Sequence, residues 1–207
     1  MSGDVMNSPR GLWDRRDVMM AGGAAAGAIA VSHNITGARA PTTDRNFLVV
    51  ADSRITASRD FARAMPSSER IAWIEGDITK LWYEELDARW RDEKIAVAGL
   101  TEFGPFFCLE RLAMDRGLRV AFKGSHRRDG ARLLHDIRGP KDVVTEQSLN
   151  TFSDRHWPTQ AARMAMASRV VRQTTSKHYN HSSSVSEQWP LLVSWMIVPK
   201  CAYGDRA

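Results

Sequence analysis

Cysteine is scarce in this chain. Cys108 and Cys201 are the only two in 207 residues. They form no CxxC pair and no metal-ligand spacing, which excludes a zinc ribbon or a dithiol redox motif. Catalytic fingerprints are missing too. There is no G-x-S-x-G elbow, no Walker loop, no H-E-x-x-H, and no G-x-G-x-x-G after a strand. Gly22 to Gly27 is glycine-rich, but no strand precedes it, so it is no dinucleotide fingerprint. No apolar run reaches the roughly 20 residues of a membrane-spanning helix. No internal repeat occurs. Charge of one sign is also in short supply: 29 basic residues face 24 acidic ones, for a formal net charge of +5. The one dense basic stretch, Lys123–Arg128, has no aromatic interleaving, so nucleic acid is not an expected partner.

What is present suits a packed domain. Hydrophobic residues make up 43% of the chain and charged residues 26%, enough to build a core with a solvated surface. The chain reads as alternating strands and helices. Phe47–Ala51 is a continuous apolar run, as a strand covered on both faces requires. A helix from Thr56 to Met65 follows and stops at Pro66. Arg70–Ile74 is a second strand. The next helix, Thr79–Arg91, carries Leu81, Trp82, Leu86 and Trp90 as a packing stripe. The central stretch, Lys94–Phe122, reads as a strand stopping at Gly99, a turn with Thr101 as helix cap, a helix ended by Gly117, and a strand from Leu118. Cys108 falls among the apolar positions of that helix and reads as a small buried side chain.

Beyond Phe122 the pattern changes. Asp129-Gly130 signals a two-residue hairpin, with Ala131–Ile137 returning antiparallel. Asp142–Ser153 is ambiguous. Trp157-Pro158 opens a helix running to about Arg172. The Ser-rich stretch Thr174–Glu187 reads as a loop. Leu191–Val198 is apolar enough to lie inside the sheet. The expectation is a three-layer, Rossmann-like α/β fold with a mainly parallel sheet of about six strands and one antiparallel hairpin. Residues 41–207 would form that single domain.

In open α/β sheets, ligands lie outside the carboxyl ends of the strands. That rule selects Asp52-Ser53-Arg54, Glu75-Gly76-Asp77 and the turn Gly99–Gly104. Gly99 and Gly104 would let a ligand approach the backbone, and Thr101 would offer a hydroxyl beside a helix N-terminus suited to a small anion. Asp52 and Asp77 would meet across strand ends, and His126 would reach the same rim. The candidate ligand residues are therefore Gly99, Thr101, Gly104, Asp52, Ser53, Asp77 and His126. No metal set stands out: His178 and His181 sit three apart in what reads as a loop.

The N-terminus holds the most specific signal. Arg15-Arg16 is followed by Asp17, then Val18-Met19, then an uncharged Ala/Gly segment to Val31 and an Ala-x-Ala site at Ala38-Arg39-Ala40. This resembles a twin-arginine export signal over residues 1–40. Asp14 stands where Ser or Thr is usual, Met20 where Lys is common, and Pro41 directly follows the second alanine. The resemblance implies the twin-arginine export machinery as partner. It also implies a periplasmic or secreted product with no membrane span after cleavage behind Ala38 or Ala40, or a membrane anchor if the segment is kept.

Together these readings predict an exported, non-catalytic protein that binds a small anion or serves as an accessory to another protein. The alternative is a small hydrolase or transferase using Asp52, Asp77, Thr101 and His126. A third reading, function only within a complex, would show as an exposed patch of tryptophans.

Overall fold

The computed structural model describes residues 47–66, 70–153, 155–170, 173–183 and 190–200. Arg15, Arg16 and Cys201 lie outside the described residues, and with them the export signal, its cleavage point and any Cys108–Cys201 pairing. The elements run β1 (Phe47–Asp52), α1 (Thr56–Arg63), β2 (Ile71–Ile74), α2 (Thr79–Leu81), a π-helical turn (Trp82–Leu86), α3 (Asp87–Asp92), β3 (Ala96–Glu102), α4 (Phe103–Asp115), β4 (Leu118–Asp129), β5 (Arg132–Pro140), α5 (Glu146–Asn150), α6 (Trp157–Ala167), β6 (Thr174–Ser182) and β7 (Leu192–Pro199). Among the described residues no helix is long and apolar enough to cross a membrane.

The α/β class holds, but the sheet is mixed. Seven strands lie in the order β2-β1-β3-β7-β4-β5-β6. Only β2–β1 and β1–β3 pair parallel; the other four pairings are antiparallel. The expectation of a mainly parallel, six-stranded sheet is therefore corrected. Two events change the count. The apolar last strand, β7, inserts between β3 and β4, so the two strands of the central βαβ unit run the same way without touching. The Thr174–Ser182 stretch, read as loop, is an edge strand whose sides alternate between exposed and half-buried. An edge strand over a partly covered face needs only every second residue to pack, and polar residues can fill the other side.

Two apolar layers cover the sheet. Phe47, Val49 and Ala51 of β1 face α1 and α6, joining Phe61, Ala62, Trp157 and Ala161. Leu48 and Val50 face the other way, toward Leu86, Trp90, Phe106 and Leu109 of the π turn, α3 and α4. Alternate residues of one strand thus reach opposite cores, which is why β1 is apolar throughout. Each fully buried large side chain contributes on the order of 1.5–3 kcal/mol.

Strand β3 does not stop at Gly99. It runs on to Glu102, because Gly99 makes room rather than a turn: a Cβ there would lie 2.5 Å from Trp195 Cζ2 and 2.6 Å from the Val50 carbonyl oxygen. Likewise β4 does not end near Phe122 but continues through the basic stretch to Asp129. The hairpin loop is Gly130-Ala131, one residue later than read, with Asp129 opposite Arg132. Gly130 supplies the positive φ of +55° at the first loop position, a conformation that costs glycine little. Cys108 is exposed, not buried: α4 turns it to solvent while Phe106 and Leu109 enter the core.

Candidate functional site

Asp52, Ser53 and Asp77 lie at or just beyond the ends of β1 and β2. Asp52 closes β1 and is fully buried. Its Oδ1 accepts from the Arg54 backbone N–H and from Arg54 Nε, both at 3.0 Å, and its Oδ2 accepts from Arg54 Nη2 at 2.8 Å. The same guanidinium reaches Glu102 at 3.3 Å and crosses Gly76, where a Cβ would sit 2.4 Å from Arg54 Nη2. The hydrogen bond to Asp52 is the main reason the Arg54 pKa is raised. Asp52 is thus occupied with fixing its own turn. Ser58 completes that turn: its Oγ accepts from the Asp52 backbone N–H at 2.8 Å and donates to the Leu100 carbonyl.

Asp77 precedes α2 and accepts from the Thr79 N–H at 2.9 Å and from Thr79 Oγ1 at 2.7 Å. Those bonds hold its carboxyl below the usual range. Asp77 and Ser53 do come together, on the wall of an open cleft of about 810 Å³ beyond β1 and β2. Asp52 does not line it. The cleft's other walls are Trp73 and Glu75 of the β2 end, Lys80 and Leu81 of α2, and Glu84 and Glu85 of the π turn. Four carboxylates face one lysine. Glu85 is engaged by Arg89 at 2.7 Å and Glu75 acts on the nearby Arg54 guanidinium, whereas Glu84 makes no ion pair among the described residues. Trp73 is 51% exposed beside them.

The Gly99–Gly104 candidate dissolves. Thr101 is buried inside β3; its Oγ1 donates to the Glu102 carbonyl at 3.0 Å and accepts from Trp195 Nε1 at 3.4 Å. It is not the cap of α4, whose N-cap is Glu102 with no side-chain hydrogen bond. The Phe103 N–H donates to the Leu191 carbonyl at 3.2 Å, and Pro105 has no N–H to offer. Gly104 lies in the first turn of α4 with open space above it. An anion finds few donors there, and Glu102 stands beside them.

His126 is not at the rim surface; it is fully buried on the opposite face of the sheet from Thr101. Its Nε2 lies 2.7 Å from Ser194 Oγ and its Nδ1 lies 2.7 Å from His135 Nδ1. Trp157 of α6 packs on the His126 ring at 4.3 Å between centroids, and Phe152 edges onto His135 at 4.9 Å. On β6, Tyr179 and His181 stack against the outer side of His135. Ser194, His126, His135 and His181 so form a polar row across β7, β4, β5 and β6. With both rings neutral, one imidazole donates through Nδ1–H and the other accepts. If His126 donates, its Nε2 accepts the Ser194 hydroxyl proton and the row reads Ser–His–His. His135 Nε2 is buried without a hydrogen-bond partner. Burial pushes the His126 pKa well below the ordinary imidazole value, with His135 adding to it. Burial, then His181, lowers His135 to about 3.

This row resembles a nucleophile–base–orienter chain in its bonds but not in its electrostatics. A general base works best with a pKa near the operating pH, and its orienting partner is usually an anion that stabilises the imidazolium. Here the partner is a second neutral imidazole, and Ser194 has no solvent exposure. The row is equally unfit for a metal. The His135 and His181 planes lie within 16° of parallel at 5.2 Å, so their in-plane lone pairs do not converge. His178 and His181 point to opposite faces of β6, and His178 is bonded to Asp136 instead. Among the described residues no group of three His, Cys, Asp or Glu is placed to hold a metal ion.

His135, Ser194, Trp73 and Glu84 were not candidates from sequence. A signal for His135 existed. A Gly130-Ala131 loop sets His126 opposite His135 by register alone, whereas an Asp129-Gly130 loop sets it opposite Leu133.

Compared with known proteins, the chain matches no family model, no curated protein and no solved structure.

Proposed function

We propose that the chain is an exported, non-catalytic binding protein that holds a small cationic ligand in the cleft beyond β1 and β2. The observation that carries this reading is the exposed Trp73 face beside Glu75 and Glu84 in an open cleft. A cation over an indole gains roughly 0.5–2 kcal/mol, and neighbouring carboxylates add to that attraction. The anion expected at Gly99–Gly104 is given up, since Thr101 is buried inside β3 and Glu102 stands at the start of α4. Export rests on Arg15-Arg16 and the apolar segment behind them, with the twin-arginine machinery as partner and the periplasm or the medium as destination.

Calorimetric titration with a quaternary ammonium, a polyamine and a divalent cation, against phosphate and citrate, tests the ligand class. Binding of a cation that weakens at least about tenfold in Trp73→Ala and in Glu84→Gln is the expected result. Tighter binding of the anions would end the reading. For export, Arg15→Lys/Arg16→Lys should keep the protein in the cytoplasm on fractionation; equal export of both forms would remove the twin-arginine route.

A small hydrolase or transferase is the second reading, and the Ser194–His126 contact favours it. The rim set once expected for it is not assembled: Asp52 is locked by Arg54, and Thr101 and His126 face opposite ways. A fluorophosphonate that labels the wild type but not Ser194→Ala would establish this reading. No labelling is expected, because Ser194 has no solvent exposure.

A further inference from the structure

The two edges of the sheet are built differently. The β2 edge is four residues long, and short edges resist pairing with other chains. The β6 edge is nine residues long and closes the sheet on the far side. Its register with β5 is unbroken from Arg132↔Ser182 to Pro140↔Thr174, with no bulge to twist it away and no proline within it. Sheet edges are commonly guarded by a charge held in the pairing direction. Here the only Lys or Arg, Lys177, is drawn over the sheet face to Glu146 of α5 at 3.0 Å, and His178 is held by Asp136. Among the described residues nothing covers this edge.

We propose that two copies of the chain pair β6 to β6, antiparallel, about a two-fold axis near His178. Such a pairing puts Lys177 opposite Tyr179, Ser176 opposite Asn180, Thr175 opposite His181 and Thr174 opposite Ser182. No two lysines, arginines or carboxylates meet. A second copy is the fitting occupant because the isologous arrangement closes on itself and uses both long edges at once. Pairing β6 of one copy with β2 of another would engage four residues and leave the remaining length exposed. The cleft beyond β2 lies at the opposite edge, so dimerisation and ligand binding are independent.

Sedimentation and light scattering on the full chain provide the test. A dimer should dominate at about 100 µM. Ser176→Lys/Asn180→Lys should weaken it at least about 100-fold by opposing like charges across the new ladder. In a Cys108→Ser/Cys201→Ser background, His178→Cys should cross-link to its own copy under mild oxidation. A monomer at that concentration, a dimer indifferent to the double lysine variant, or no cross-link would overturn the proposal. Should the lysine variant fail to fold, hydrogen exchange of the wild type decides. Protection of β6 amides that rises with protein concentration supports pairing between copies. Equal protection at every concentration means that another segment of the same chain covers the edge, and the proposal falls.

Discussion

His126 and His135 face each other Nδ1 to Nδ1 at 2.7 Å, with neither ring exposed. That contact is attractive only while one of the two nitrogens carries a proton and the other does not. A proton added to the accepting nitrogen turns it into a clash of donors.

Acid should therefore destabilise the fold. Both imidazoles have folded-state pKa values below the unfolded value near 6.5, His135 at about 3. The unfolded chain then binds more protons than the folded one between those limits. Stability is fully present above about pH 6.5 and falls as pH drops toward 3, by about 1.4 kcal/mol per pH unit for each imidazole involved. The contacts of His126 and His135, namely Ser194, Trp157, Phe152, Tyr179 and His181, include no carboxylate to offset this. Urea denaturation from pH 8 to pH 4 measures the slope, and His135→Gln should flatten it. A slope unchanged in that variant would assign acid lability to other groups.

The glycines at 99 and 104 should respond in opposite ways. Gly99→Ala forces a Cβ against Trp195 and the Val50 carbonyl, and backbone cannot yield cheaply. A loss of about 2–3 kcal/mol is expected, as for an overpacked core. Gly104→Ala meets open space in a helix and should be neutral or stabilising by up to about 1 kcal/mol. Thermal melts of the two variants check both.

Ser58→Ala should cost about 1–3 kcal/mol. It leaves the buried Asp52 N–H and the Leu100 carbonyl each without the hydroxyl that pairs them. Asp52→Ala should be of similar size or larger, because it strips the carboxylate from Arg54 as well as the turn. Ser58→Ala should not alter cation affinity, since Ser58 does not line the cleft, whereas Asp52→Ala frees the Arg54 guanidinium beside Glu75 and should weaken it. Chemical denaturation and calorimetry on the same preparations separate the two effects.

Trp73→Ala and Glu84→Gln should leave stability within about 0.5 kcal/mol, the range of surface substitutions without special contacts. A melting temperature that drops sharply in either would mean that these side chains hold structure rather than ligand.

Much of the fold was legible because it is local. Phe47–Ala51 announces a doubly covered strand, Pro66 and Gly117 end helices, and Leu81, Trp82, Leu86 and Trp90 mark one packed stripe. Even the interior place of β7 follows from its apolar run, broken only by Ser194. Strand pairing was not legible, because it joins residues far apart in the chain. Nothing near Thr174–Ser182 reveals that β5 waits to pair with it.

The site followed the same division. Sequence by itself determined which residues could donate, accept or ionise. Only the tertiary structure decided what surrounds each of them. Gly99 became a space for Trp195 from a strand nearly a hundred residues away, Asp52 a partner for Arg54, and His126 the middle of a buried row. A side chain's chemistry is fixed by its covalent structure. Its protonation, accessibility and partner depend on what packs against it, and for Gly99 and His126 that comes from β7, β5 and α6.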